Sequence, residues 1–321
     1  IFYFPHLHFP PFELRYFLTK QYGKPAYSQV KTSFGGRNGG RKKIRNDKFI
    51  LYQYFIPLIV SPPVHLHIIQ TIIEYALIHP VKTIFLFGSR GQVGTDLQRE
   101  LASFGQVVPV TLDLRDSGAL TDFLSATPAD IIINAAAFTR VDDAESQQDA
   151  CRAINTTAPT IMAQAAKSMD AVFVHYSTDY VFDGSGDTPW TEIDRPAPLN
   201  AYGQSKLLSE QAIADSGCDA LVFRCSWIYS PHGQNFIKTI LKLAQTRPHL
   251  TIVDDQIGAP TSSAFIAKAT ATALAQTLKQ RDLCGLYHLC CAGDTSWYGL
   301  AAHILAKSGL PLSCHLAPIP S

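Results

Sequence analysis

The sequence predicts an α/β protein built on a doubly wound parallel sheet, followed by a smaller C-terminal subdomain. Three observations point there. From Val81 onward, short apolar runs alternate with helical stretches. Repeated βα units of this kind imply parallel strands joined by right-handed crossovers. A glycine-rich turn, Gly88-Ser89-Arg90-Gly91-Gln92-Val93-Gly94, lies directly between the first run and the first helix. Beyond Trp227 the alternation loosens into helices separated by loops.

Each element has a local reason. "VKTIFLFG" is a short apolar run closed by glycine, as a strand buried on both faces requires. "GTDLQRELASFG" has helical spacing and a glycine stop. "QVVPVTL" (strand), "SGALTDFLSATP" (helix) and "ADIIINAAA" (strand) follow. Residues 142–170 are long and helical, with a break expected near Pro159. "AVFVHYST" (strand), "AYGQSKLLSEQAIADSG" (helix) and "DALVFRCSWIY" (strand) complete the series. "NFIKTILKLAQT" and "SAFIAKATATALAQTLKQ" are the later helices, with "TIVDDQIGAPT" between them. The expected organisation is a leader at 1–80, a dinucleotide-binding domain at 81–226 and a substrate-binding subdomain at 227–321.

Composition separates the leader from the rest. The 321 residues are 46% hydrophobic and 17% charged, a globular balance. Residues 1–80 hold 10 Lys/Arg against 3 Asp/Glu, a balance of +7, whereas 81–321 hold 17 against 23, a balance of −6. An acidic main body argues against a nucleic-acid partner, because phosphate binding needs a basic surface. The longest apolar run, Phe49 to Val60, is too short to span a bilayer and is interrupted by Pro57. No secretory signal pattern opens the chain. Residues 1–80 are therefore expected to lie outside the native fold, with Val81 as the start of the folded chain. No membrane partner is expected, and the protein is expected to be cytoplasmic. The seven cysteines form no Cys-x-x-Cys pair, which favours reduced buried thiols.

The motifs carry the chemistry. A G-x-x-G-x-x-G turn between strand and helix lets a pyrophosphate approach backbone N–H groups at the helix N-terminus, the arrangement of a Rossmann dinucleotide site. Asp113 lies 19 residues after Gly94, close to the spacing of an acidic ribose ligand. The strand end itself carries Thr111, so NADPH and NADH both remain open. Thr178 and Asp179 close another strand, at the edge where doubly wound sheets bind ligands. Tyr202 and Lys206 are one helical turn apart and project from the same face. Such spacing also occurs on ordinary amphipathic helices, and the context distinguishes the two: a hydroxyl-bearing strand end, then Tyr-x-x-x-Lys, behind a dinucleotide turn.

That constellation resembles the extended short-chain dehydrogenase/reductases. The stretches "FGSRGQVG", "NAAAFTRVDDAE", "HYSTDYVFDGSGDTPWTE", "PLNAYGQSKLLSE", "FRCSWIYSPHGQNFIKTIL" and "DDQIGAPTS" resemble the dTDP-4-dehydrorhamnose reductase family, in order from Val81 to about Pro320. The resemblance implies reduction of the C4 ketone of dTDP-4-dehydro-β-L-rhamnose by NADPH or NADH. In it, Lys206 lowers the Tyr202 pKa by charge proximity and binds the nicotinamide ribose. Tyr202 exchanges a proton with the substrate oxygen, and Thr178 stabilises that oxygen. Gly88, Gly91, Gln92 and Val93 surround the pyrophosphate. Asp113 and Leu114 flank the adenine. Ala137, Phe138, Thr139 and Tyr176 line the cofactor, and Thr178, Asp179 and Trp227 meet the dTDP-sugar.

Four features depart from that pattern. Thr111 replaces the acidic strand-end residue often present. Some relatives bridge subunits with Mg²⁺ through acidic side chains; Asp96 keeps one such carboxylate, but Ala264 stands where another would be. A Mg²⁺-bridged dimer is not expected, no metal ligand is assigned, and a homodimer stays open. The leader is unrelated to the family, and the end at Ser321 is expected to truncate the substrate subdomain. Two rival classes remain: a sugar-nucleotide epimerase or dehydratase on the same scaffold, and a non-catalytic subunit that keeps the cofactor site for regulation.

Overall fold

A computed structural model describes residues 81–309 and 314–321. The expected leader, residues 1–80, lies outside the described residues. Six parallel strands form the central sheet: β1 (Lys82–Phe87), β2 (Gly105–Val110), β3 (Ile131–Asn134), β4 (Val172–Thr178), β5 (Ala220–Cys225) and a late strand at Gly285–His288. Their spatial order is β2, β1, β3, β4, β5 and then Gly285–His288. Strand order reverses beside β1, with β2 on one side and β3 on the other, which opens a crevice at the carboxyl ends of these strands.

The two faces of the sheet explain why the strands read as continuous apolar runs. Successive side chains alternate between faces. Ile84, Leu86, Ile131, Ile133, Val172 and Val174 face one way, against Leu97 and Leu101 of α1 (Gln92–Leu101). Phe85, Phe87, Ile132 and Phe173 face the other way, against α2 (Ser117–Ala126). Both sides are covered, which favours apolar side chains at these positions.

The long helical stretch is divided differently from the expectation. It runs as α3 (Val141–Ser146), α4 (Gln148–Arg152), a π turn at Ala153–Thr157 and α5 (Ala158–Met169). The break falls at Gln147, between α3 and α4. Pro159 does not end a helix; it occupies the first turn of α5, where its missing N–H is no loss. After β4 comes α6 (Ala201–Ser216), which packs beside α5 on the second face.

The expected strand 219–229 is also interrupted. β5 stops at Cys225, and a two-residue strand β6 (Ile228–Tyr229) resumes beyond it. Trp227 between them has φ +43°, a left-handed value rare for a bulky residue. The sharp turn re-aims its indole toward the crevice.

Beyond 227 the chain leaves the sheet and returns to it. α7 (Phe236–Thr246), β7 (His249–Val253), β8 (Ile257–Gly258) and β9 (Thr261–Ser262) come first. α8 (Ser263–Thr277) then packs on α1, and β10 (Gly285–His288) adds the sixth strand beside β5. β11 (Thr295–Ser296), α9 (Trp297–Lys307) and β12 (His315–Ile319) follow, with β12 pairing parallel to β7. Residue 227 is thus no clean seam, because α8 and β10 belong with the sheet. The smaller lobe has its own core of Ile240, Ala301 and Ile304. Among the described residues, no helix is long and apolar enough to cross a membrane.

The glycine turn joins β1 to α1 with no space to spare. Gly88 has φ +74°, and a Cβ on Gly94 would lie 2.1 Å from the Gly88 carbonyl oxygen. Gly94→Ala is expected to destabilise the fold by about 1–3 kcal/mol through this overpacking. Urea denaturation followed by circular dichroism measures the effect; an unchanged midpoint contradicts the assigned packing.

Candidate active site

The turn after β1 is shaped to receive an anion. Gly91 N–H donates to the Gly88 carbonyl at 2.9 Å, closing the loop. Gly91 caps α1 with no side-chain hydrogen bond, and the first turn carries no acidic residue. The positive end of the helix dipole and its free N–H groups are therefore open to a pyrophosphate, as a bound dinucleotide requires. Val93 faces the same cleft, while the Gln92 side chain accepts a hydrogen bond from Asn235 Nδ2 at 2.9 Å. That bond ties the loop before α7 to the start of α1.

A cleft of about 790 Å³ runs from this turn along the strand ends. Gly88, Gly91, Ala137, Thr139 and Tyr176 line one part of it; Thr178, Asp179, Tyr202 and Lys206 line the next. Trp227 and Trp297 close the far part, their indoles stacked at 3.5 Å and 10°. A smaller hollow of about 220 Å³ opens beside the ends of β1 and β2, lined by Ser89, Arg90, Thr111 and Leu114 among others. No carboxylate lines that hollow. Asp113 lies outside it, exposed and paired with Arg115, whose guanidinium holds the carboxyl at about 2.

Thr178 ends β4, and its hydroxyl is fixed by two hydrogen bonds. It donates to Asp179 Oδ1 at 3.0 Å and accepts from Tyr180 N–H at 3.2 Å, with Tyr202 on the same cleft wall. Asp179 also accepts from Ser226 Oγ at 2.8 Å. Burial raises its carboxyl above the ordinary carboxylate value, against the pull of these donors.

Tyr202 and Lys206 share a face of α6, as their spacing predicts. Asn200 sets the start of that helix by accepting from Gly203 N–H at 2.7 Å. The electrostatics differ from the expectation that Lys206 acidifies Tyr202. Burial pushes the Tyr202 phenol well above its ordinary value, with Thr178 opposing and Asp179 adding to the rise. Lys206 Nζ lies instead 3.0 Å from His175 Nε2, and burial pulls its amine down to about 8. Desolvation outweighs charge proximity here, because the amine is itself buried and engaged elsewhere.

Two other expected residues have structural partners. Tyr176 points its hydroxyl to Thr270 Oγ1 of α8 at 2.8 Å, so only part of the ring faces the cleft. Phe138 is buried beside Ala144, Cys151 and Tyr202, with its backbone N–H and C=O both bonded to Asn155. It supports the Tyr202 ring from behind and is absent from the cleft lining. Asp96, considered as a metal ligand, is buried and accepts from Ser263 Oγ at 2.5 Å.

The structure adds residues that the sequence reading passed over. Trp297 on α9 packs against Trp227, with no sequence signal to bring them together. Glu210, one turn beyond Lys206, pairs with Arg224 at 2.7 Å and accepts from Ser177 Oγ at 2.5 Å, all of it buried. Its i+4 spacing from Lys206 was a usable signal. Asn134 and His175 stand behind Lys206.

Comparison with known proteins agrees with this geometry. The family model described as "RmlD substrate binding domain" matches residues 82–321. The dTDP-4-dehydrorhamnose reductase of Burkholderia thailandensis is 44% identical over 251 residues, covering 74% of this chain and 84% of that protein. The Escherichia coli K12 enzyme of the same name is 43% identical, over 72% and 80% of the two chains. A Bacillus anthracis dTDP-4-dehydrorhamnose reductase crystallised with NADP superposes with TM-score 0.69 at 31% identity, covering 75% of this chain and 85% of that one.

Removing one member of the buried Glu210–Arg224 pair leaves an uncompensated charge. Glu210→Ala is expected to lose about 3–5 kcal/mol of stability, whereas Glu210→Leu combined with Arg224→Met recovers most of it. Chemical denaturation of the two variants distinguishes this from an inert pair, for which neither changes the midpoint.

Proposed function

Because this chain belongs to the dTDP-4-dehydrorhamnose reductase family, we propose that its cleft reduces the C4 ketone of dTDP-4-dehydro-β-L-rhamnose to give dTDP-β-L-rhamnose, a sugar donor for surface polysaccharide, using NADPH or NADH. The observation that carries the reading is the convergence of the Thr178, Tyr202 and Lys206 side chains on the wall of one cleft that continues to the Gly88–Gly91 turn.

The residues present fit a dinucleotide: an open helix N-terminus at Gly91, small side chains at Ala135 to Ala137, and a cleft continuous with the Thr178–Tyr202 pair. When bound, a reduced nicotinamide supplies the hydride. The protein supplies the proton. A phenol held well above its ordinary value keeps its proton at neutral pH, which suits a general acid for reduction. As negative charge develops on the ketone oxygen, that oxygen becomes far more basic than a phenolate, and transfer from Tyr202 runs downhill. Thr178 turns its proton from Asp179 to the same oxygen and stabilises the charge. The Lys206 amine, next along the helix face, holds the ribose and restores the phenol's charge balance after transfer. Trp227, beyond Thr178, meets the sugar.

Two rivals are separated by one assay. Incubation of the full chain with the dTDP-4-ketosugar and NADPH is expected to oxidise one NADPH per product formed. Product without net oxidation indicates an epimerase, and cofactor binding without turnover indicates a regulatory subunit. Tyr202→Phe is expected to lower kcat by roughly 10²–10⁴-fold, the worth of one general acid, while nucleotide affinity measured by calorimetry stays nearly unchanged. Parallel losses of affinity with residual turnover near the parent level contradict the role given to Tyr202.

A further inference from the structure

His175 sits on β4 three residues before Thr178, wholly buried, its ring stacked on Phe173. Both ring nitrogens are engaged, and the donors around them fix the proton. Ala136 N–H donates to Asn134 Oδ1 at 3.1 Å, so the Asn134 NH₂ group faces His175 Nδ1, 3.2 Å away. Nδ1 therefore accepts, and a neutral imidazole must carry its proton on Nε2. Ser209 Oγ, 3.2 Å from Nε2, donates its own proton to the Lys206 carbonyl at 2.6 Å and can only accept from the ring. Lys206 Nζ lies 3.0 Å from the same Nε2.

An ammonium offers donors only, so facing Nε2–H it places two donors in contact. A neutral amine offers its lone pair and makes a hydrogen bond. From this donor conflict we infer that His175, oriented by Asn134, is a positioning residue that disfavours the ammonium form of Lys206 and adds to burial in lowering the pH at which Lys206 loses its proton. The inference rests on the reading of Lys206 as the partner of Tyr202.

The other titratable groups around the amine are few. Tyr202 and Glu210 lie on its own helix, and the Glu210 carboxylate, held by Arg224 and Ser177, favours the ammonium. Cys225 on β5 and Cys151 on α4 contribute weakly in the same direction. Burial opposes them all and draws Lys206 to about 8, while His175 is held well below its usual value and stays neutral.

The sign follows. The ammonium is present below about pH 8 and lost above it, so kcat/KM should fall as pH rises through that value. His175→Gln turns a side-chain carbonyl toward Nζ and accepts from the ammonium, and is expected to move this alkaline limb up by about one pH unit. Asn134→Asp accepts from Nδ1–H, forces Nε2 to become an acceptor, and is expected to shift the limb the same way. The Lys206 resonance in ¹³Cε-lysine NMR, assigned with Lys206→Met, reports the same midpoint without turnover. Limb and resonance moving upward together in either variant support the inference. A lower kcat with limb and resonance unmoved in both variants makes His175 merely structural and overturns it. Full turnover by Lys206→Met instead overturns the role of Lys206 itself, and the two failures are distinguishable.

Discussion

The site is organised by the burial of one amine. Lys206 is about 1% exposed, and an aliphatic chain ending in nitrogen cannot be left in such a place without polar company. Its surroundings supply that company from two elements at once. β4 brings His175 to Nζ, while α6 places the Glu210 carboxylate one turn away and Ser209 Oγ beside the same His175 nitrogen. Because α6 must lie close enough to β4 for those contacts, its first turn is pressed against the strand end. Tyr202 then lies on the cleft wall with Thr178, with Phe138 packed behind it. A Lys206 free to reach solvent would relax that constraint, and the phenol with it.

Burial also sets what each group can do. Desolvation favours the uncharged form of every ionisable side chain. It keeps Tyr202 protonated, draws Lys206 toward neutrality and raises Asp179. On the proposed reading, the pocket thus holds a proton ready for an oxygen that turns basic, in place of a phenolate waiting to accept one. The deeper Glu210–Arg224 pair and its Ser177 contact serve geometry more than net stability, since two buried charges offset much of their mutual attraction by losing water.

Much of this was legible in the sequence because it is encoded locally. The turn from Gly88 to Gly94, the apolar runs of β1 to β5 and the one-turn spacing of Tyr202 and Lys206 each follow from neighbours in the chain. What escaped depends on partners far away. β10 is a four-residue strand that exists because β5 offers an unpaired edge, and nothing in "GLYH" announces it. Trp297 reaches the cleft by way of the α9 fold, and Trp227 by a strained backbone that no periodicity reveals. The break at Gln147 in place of Pro159 has the same origin, because proline is harmless in a first turn. Spacing shows that Tyr202 and Lys206 are neighbours, but it does not show that Lys206 is buried and Tyr202 half-buried, or that desolvation is what turns the phenol's shift upward. His175 was hidden in plain view in "HYSTDY", since only the three-dimensional pairing with Asn134 gives its ring a defined proton.

The central claim is that this cleft brings a hydride and the Tyr202 proton to the two ends of one carbonyl. The most direct measurement follows the isotope. Turnover of the dTDP-4-ketosugar with NADPH deuterated at the transferred position of C4, in ordinary water, should give a product carrying one deuterium on the sugar C4 carbon, seen by NMR as loss of that proton signal. Product with ordinary hydrogen at C4, or deuterium at any other carbon, contradicts the account.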